Sequence, residues 1–143
     1  MKIIPFKPEH VFQFDLDESQ VECFGALTAE HANALASVGY CYSAEEDGKI
    51  IGCGGVADIH AGRSVAWAIM SEATGKHMLA ITRAAKRVIS LKGGRVEAVV
   101  RYGFVAGVRW ATLLGLEWHH HEEQYLPGGY DADIFVRLDK WHS

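Results

Sequence analysis

The run RSVAWAIMSEATGKHMLAITRAAKRVISLKGGRVEAVVRY, residues 63–102, decides the fold. Arg63 to Met70 holds Val65, Ala66, Trp67, Ala68 and Ile69 in a nearly unbroken apolar series, as expected of a strand covered on both faces and lying centrally in a sheet. From Gly75 to Leu91 the period changes. Met78, Ile81, Ala85, Val88 and Ile89 fall on one helical face, Lys76, Arg83, Lys86 and Arg87 lie largely elsewhere, and Gly93-Gly94 ends the run. Arg95 to Tyr102 returns to strand composition with Val96, Ala98, Val99 and Val100. Two strands thus flank one long amphipathic helix.

Upstream, Tyr40–Ala44 and Lys49–Ala57 read as a hairpin around the turn Glu45-Glu46-Asp47-Gly48, with Gly52-Cys53-Gly54-Gly55 taken as a bulge. Ser19 stands three residues before Glu22, a capping-box spacing, and Val21, Phe24, Leu27, Leu35 and Val38 recur at helical intervals. One helix, or two broken near Gly25, is expected from Ser19 to Val38. The prolines of Met1–Phe14 suit a short edge strand and an irregular turn. Downstream, Phe104–Leu114 reads as a short helix closed by Gly115, and strands at Leu116–Tyr125 and Ala132–Leu138 are joined by Pro127-Gly128-Gly129. The order predicts an α+β (α/β) domain with one mixed sheet, residues 1–143 forming a single unit.

Composition narrows the function. The chain has 143 residues, 49% of them apolar, and a formal charge of −4, which gives no general attraction to phosphate backbones or anionic lipid, so neither nucleic acid nor membrane is an expected partner. No window approaches the ~20 consecutive apolar residues of a spanning helix, and no secretory segment is visible, so a cytoplasmic location is expected. Cys23, Cys41 and Cys53 match neither a disulfide framework nor a zinc-knuckle spacing and read as buried free thiols. No nucleophile elbow, phosphate loop or metalloprotease helix occurs. His119, His121 and Glu123 would share one strand face, a spacing that could hold a metal ion, but such runs more often form a solvated face, and no metal is expected.

Two constellations can carry other chemistry. In the turn Ser71–His77, a helix N-terminus offers unpaired N–H groups and a positive dipole end to a phosphate. Ser71 and Thr74 could add hydroxyl donors there, Lys76 an ammonium, and Gly75 a close backbone approach; alternatively Thr74 simply caps the helix. On the strand Arg95–Tyr102, Glu97 and Arg101 share a face, and charges on a buried strand need either partners, each other or groups on neighbouring strands, or a water-filled cleft.

The segments EDGKIIGCGG (46–55), VAWAIM (65–70) and VRWATLLGL (108–116), in this order of elements, resemble the GNAT fold of N-acetyltransferases across nearly the whole chain. Within that fold family the chain resembles the small GNAT-like proteins of tailed bacteriophages, including internal virion proteins. The resemblance implies a mostly antiparallel sheet of six or seven strands flanked by three or four helices. It implies that acetyl-CoA lies beside Arg63–Met70, its pantetheine arm near Ile69 and Met70 and its pyrophosphate at the turn formed by Ser71, Thr74, Gly75, Lys76 and His77. The family's turn pattern, Gln/Arg-x-x-Gly-x-Gly/Ala, aligned on Gly75, puts Glu72 and His77 at the flanking positions. The second signature, aligned on Gly115, puts Ala111 where a proton-donating tyrosine often stands. In acetyl transfer to an amine acceptor, Glu97 would take the ammonium proton, directly or through water, and Tyr102 would protonate the departing thiolate. Glu22, Glu30 and His31 could line the acceptor pocket. The alternative is a scaffold without catalysis that binds other virion proteins, and Tyr130 and Trp141 could support a homodimer.

Overall fold

The computed structural model describes residues 1–15 and 40–139. The helical region expected over Ser19–Val38 lies outside the described residues, as do Cys23, Glu22, Glu30, His31 and Trp141. Among the described residues seven strands form one sheet: β1 (Lys2–Pro5), β2 (Tyr40–Glu46), β3 (Lys49–His60), β4 (Arg63–Met70), β5 (Arg95–Arg101), β6 (Glu117–Leu126) and β7 (Tyr130–Arg137). Their spatial order is β1-β2-β3-β4-β5-β7-β6, which puts β4 at the centre as its apolar run requires. Every neighbouring pair is antiparallel except β4 and β5. That parallel pair is joined over the sheet by a 3-10 turn (Glu72–His77) and helix α1 (Met78–Ser90); α2 (Val105–Leu113) follows β5. The described residues contain these two α-helices and a further 3-10 turn at Pro8–Phe12, so the longer helix expected from Gly75 starts three residues later, after a tighter turn. No helix among the described residues is long and apolar enough to cross a membrane.

The two sheet faces are covered differently. Val56, Val96, Val100 and Phe135 pack with Ile89 of α1 and Ala111 of α2 on one face. On the other, Ile50, Cys53 and Ile69 pack with Val11 and Phe6 from the N-terminal segment. The C-terminus of α1 is held by Arg137 of β7, whose guanidinium donates to the carbonyls of Ile89 (3.1 Å), Lys92 (2.7 Å) and Gly94 (3.1 Å). A cation bonded to the carbonyls around a helix's last turn satisfies acceptors the helix cannot and opposes its dipole.

The glycines of β3 serve a purpose other than the expected bulge. Register with β2 and β4 is regular from Gly52 to Val56, and the shift falls at Ile51, opposite Ala44/Glu45. A Cβ on Gly55 would collide with Tyr40 O, and one on Gly54 would lie 3.0 Å from Trp67 O. Close backbone approach, in β3 on both sides, is what these positions require.

One carboxylate fixes where β4 meets β5. Parallel pairing sets Arg63 beside Arg95, two like charges side by side at the start of the ladder. Glu97 neutralises both: Arg63 donates at 2.8 and 3.1 Å from Nε and Nη2, and Arg95 Nε donates at 2.6 Å. The Arg63 bonds, then those of Arg95, hold the buried Glu97 carboxyl down to about 2 against the opposing effect of burial. Of the two structural alternatives, a Glu97–Arg101 pair and contacts to a neighbouring strand, the second is formed, through Arg63 of β4 with Arg95 joining it in a two-arginine clamp. A carboxyl lowered in the folded state from an ordinary 4.5 contributes stability above that value and loses it as pH falls toward about 2. Glu97→Gln should cost about 1–2 kcal/mol near neutral pH, the arginines being partly solvated, and should flatten the acid limb of stability measured by urea unfolding against pH.

Candidate active site

Beyond their first four paired positions the two central strands part. β4 and β5 are in register only from Arg63–Arg95 to Ala66–Ala98, while β4 runs on to Met70 beside β3 and β5 to Arg101 beside β7. The gap opens on a cavity of about 640 Å³, lined on the sheet side by Gly52, Gly54, Ala66, Ala68 and Ala98. Met78, Ile81 and Ala85 of α1 and Gly107, Trp110 and Ala111 of α2 form its roof and end. Its walls are overwhelmingly apolar, and it reaches the turn at Ser71, Glu72, Thr74 and Gly75. Trp110 is anchored by its Nε1–H, which donates to Thr82 Oγ1 at 2.9 Å and braces α2 against α1.

The turn is built from the expected residues in an unexpected arrangement. Ser71 donates both its N–H (3.0 Å) and its hydroxyl (2.7 Å) to the Ile51 carbonyl, and Thr74 donates its N–H (3.2 Å) and hydroxyl (2.8 Å) to the Ser71 carbonyl. Both hydroxyls expected to face a phosphate are thus committed inside the turn, and Thr74 is buried. Lys76 Nζ and His77 Nε2 lie 3.2 and 3.0 Å from the same Glu46 oxygen on the β2–β3 hairpin. These contacts, His77 first, hold the Glu46 carboxyl below its usual range. His77 Nε2 faces Glu46 without an aligned hydrogen bond, and His77 does not line the cavity, whereas Glu72 does. Gly75 has open space where a side chain would be, which leaves its backbone approachable. Met70 lines the cavity, whereas the Ile69 side chain is buried in the opposite core beside Cys53.

Glu97 lies in the paired half of the β4–β5 ladder, inside its arginine clamp. A carboxylate held at about 2 is a weak proton acceptor near neutral pH, which argues against the base role expected for it. Tyr102 stands exposed at the end of β5, its ring edge-on to His121 at 5.1 Å.

His121 belongs to a cluster that sequence reading missed. Its Nδ1 lies 3.0 Å from Asp133 and its Nε2 3.1 Å from Asp131, so both bonds form only when both nitrogens carry protons. Asp133, then Asp131, raises the His121 pKa above its ordinary 6.5. Asp131 also accepts the Gln124 N–H at 2.9 Å, where the chain turns to φ 49° in a bulge of β6. A second register shift at His119 interrupts the alternation that would align His119, His121 and Glu123. Among the described residues no group of three His, Cys, Asp or Glu side chains is placed to hold a metal ion.

A second buried polar group joins the N-terminal turn to the hairpin. His10 Nδ1 accepts the Lys7 N–H at 3.2 Å and lies 2.7 Å from Ser43 Oγ, which is 3.4 Å from Cys53 Sγ. Burial lowers His10 and pushes the Cys53 thiol up to about 11, so the trio is neutral and Cys53 remains a thiol. Cys41 and Cys53 are thiols and not a disulfide pair, Cys53 buried and Cys41 partly so.

No protein-family model matches the sequence, and no curated protein matches it. Solved structures do match. Ard1 from Thermoplasma volcanium superposes with a TM-score of 0.75 at 14% identity, covering 96% of this chain and 97% of that one. The ribosomal-protein-S18-alanine N-acetyltransferase from Escherichia coli gives 0.72 at 11% identity, with 99% and 96% covered. A GNAT-family acetyltransferase from Bacillus anthracis gives 0.69 at 14%, with 95% and 93% covered. At these identities the likeness shows the fold, which is GNAT-like.

The His121 clamp has a pH signature. A raised folded-state pKa means its contribution is complete below about 6.5 and is lost as pH rises through the higher folded value. NMR titration of the His121 ring should give a midpoint above 6.5, moved back toward it in Asp133→Asn; a wild-type midpoint at or below 6.5 contradicts the double bond.

Proposed function

We propose that this chain is an N-acyltransferase that moves an acyl group, acetyl in the simplest case, from a CoA thioester to an amine acceptor. The observation that carries the reading is the parting of β4 and β5 over an apolar cavity, a slot for an extended arm between two strands. In the reaction the amine nitrogen attacks the thioester carbonyl, the carbon–sulfur bond breaks as the carbon–nitrogen bond forms, and the thiolate takes up a proton while the ammonium loses one. The fit of the residues to such a donor is uneven. The strand gap, the apolar walls and the open side of Gly75 suit a pantetheine arm and a close approach of the backbone. At the turn, the Ser71 and Thr74 hydroxyls are committed, and Glu72 is an anion. The pyrophosphate therefore depends on main-chain N–H groups and on Lys76, which is two-thirds exposed and able to leave Glu46.

In this reading Glu97 is a positioning residue: it closes the ladder below the gap and does not accept the proton, which passes to water. Tyr102 is the acid, exposed just past β5 with its ring edge-on to that of His121. A second reading, a scaffold without catalysis that serves as a virion or interaction component, draws support from the committed turn hydroxyls and from Ala111 in place of a tyrosine.

Thermal unfolding with acetyl-CoA separates the two. At about a hundred times its Kd a ligand adds about 2.7 kcal/mol to the native state, which for a chain of this size raises Tm by about 6–10 °C. No shift at millimolar acetyl-CoA favours the scaffold. Where turnover is measurable, Tyr102→Phe should lower kcat by about 10²-fold with little change in KM for the thioester.

A further inference from the structure

The apolar cavity reaches well beyond the gap between β4 and β5 that a pantetheine arm would occupy. It extends from the gap between β4 and β5 beneath α1 to β2 and β3, where Tyr42, Ala44 and Gly52 line it, and its volume of about 640 Å³ is that of a pocket for a drug-sized molecule. The space comes from small side chains at facing positions: Gly54, Ala66, Ala68 and Ala98 on the sheet, and Ala84 and Ala85 on α1. The result shows on the helix, whose sheet-facing Met78, Ile81, Ala85 and Val88 are only half-buried although they point inward. Ala111, at the position where the family signature has a tyrosine, is buried and lines the end of the same cavity, leaving open the volume a ring would fill.

The polar groups are unevenly placed as well. The walls beneath α1 are apolar, while charge enters at the turn as the Glu72 carboxylate and at the end of β5 as the Arg101 guanidinium. An occupant that is apolar where it lies beneath α1 and polar where it leaves that space fits this distribution, with its phosphates met by main-chain N–H groups and Lys76 and not by Glu72. We infer that the acyl donor is a CoA thioester bearing an unbranched chain several methylenes longer than acetyl, with the chain lying between α1 and the sheet. The inference rests on the acyltransferase reading and deepens it by naming the donor class. It also answers the sparse donor set at the turn, because burial of the chain supplies affinity that the pyrophosphate end does not. Acyl transfer follows as above, the longer acyl group moving to the amine and CoA leaving as the thiol.

The test is calorimetric titration of the full chain with CoA, acetyl-CoA, butyryl-CoA, hexanoyl-CoA and octanoyl-CoA, with free octanoate as control. Kd should fall about fourfold per added methylene, the factor expected for burying a CH₂, until the cavity is full. Ala85→Phe, which fills the void from α1, should abolish that dependence. Equal affinity for acetyl-CoA and octanoyl-CoA overturns this inference and leaves the acyltransferase reading standing. Failure of every thioester and of CoA to bind overturns both. Octanoate binding as tightly as octanoyl-CoA, or a chain-length slope that survives Ala85→Phe, also overturns the inference by placing the chain elsewhere.

Discussion

Glu97 seated between Arg63 and Arg95 is the interaction on which the centre of the molecule depends. Parallel pairing of β4 with β5 brings two guanidinium groups together at the first rung, and without a shared counter-charge that rung would repel. The clamp closes one end of the ladder, and the strands separate at the other end, where each follows its outer neighbour. Around the same end, the Arg95 N–H donates to the Gly62 carbonyl at 2.8 Å, and Lys92 reaches Asp58 at 2.6 Å, which further fixes the entry to both strands. The sheet is therefore rigid below the gap and open above it.

The opening gains its meaning from what lines it. Small residues on three strands and on both helices leave an apolar hollow beneath α1, and the turn that caps it is stitched to β3 through Ser71 and to the β2–β3 hairpin through Glu46. These bonds fix the turn while using side chains that would otherwise contact a phosphate. A fold shared with N-acetyltransferases thus presents a strong apolar half and a weak anionic half, and a long acyl chain reconciles the two.

Polar groups away from the gap serve position more than chemistry. The His10–Ser43–Cys53 trio fastens the N-terminal turn beneath β2 and β3, and burial keeps it neutral. On β6 and β7, His121 ties Asp131 to Asp133 and steadies a bulged hairpin beside Tyr102. Both are cross-strand or cross-element contacts, invisible to any spacing rule along the chain.

Much of the fold was legible in the sequence because periodicity and turn chemistry are local. The boundaries of β4, the β2–β3 hairpin (its turn only Asp47-Gly48, not the four residues from Glu45), the helix ended by Gly93-Gly94 and the final two strands follow from the spacing of apolar residues and from glycines where φ is positive. The turn at Ser71–His77 and the importance of Glu97 were also legible, as residue types in the right places. Their partners were not. Whether Glu97 faces Arg101 or Arg63, whether Ser71 and Thr74 bond to a phosphate or to a carbonyl, and whether His77 blocks the cavity or turns to Glu46 depend on which strand becomes whose neighbour. The cavity was equally hidden, since alanine and glycine are as common in packed interiors as in hollow ones. The linear pattern determined which elements form and which faces they bury; only the assembled sheet, by setting register across strands distant in sequence, decided the charge pairs and the empty volume on which function rests.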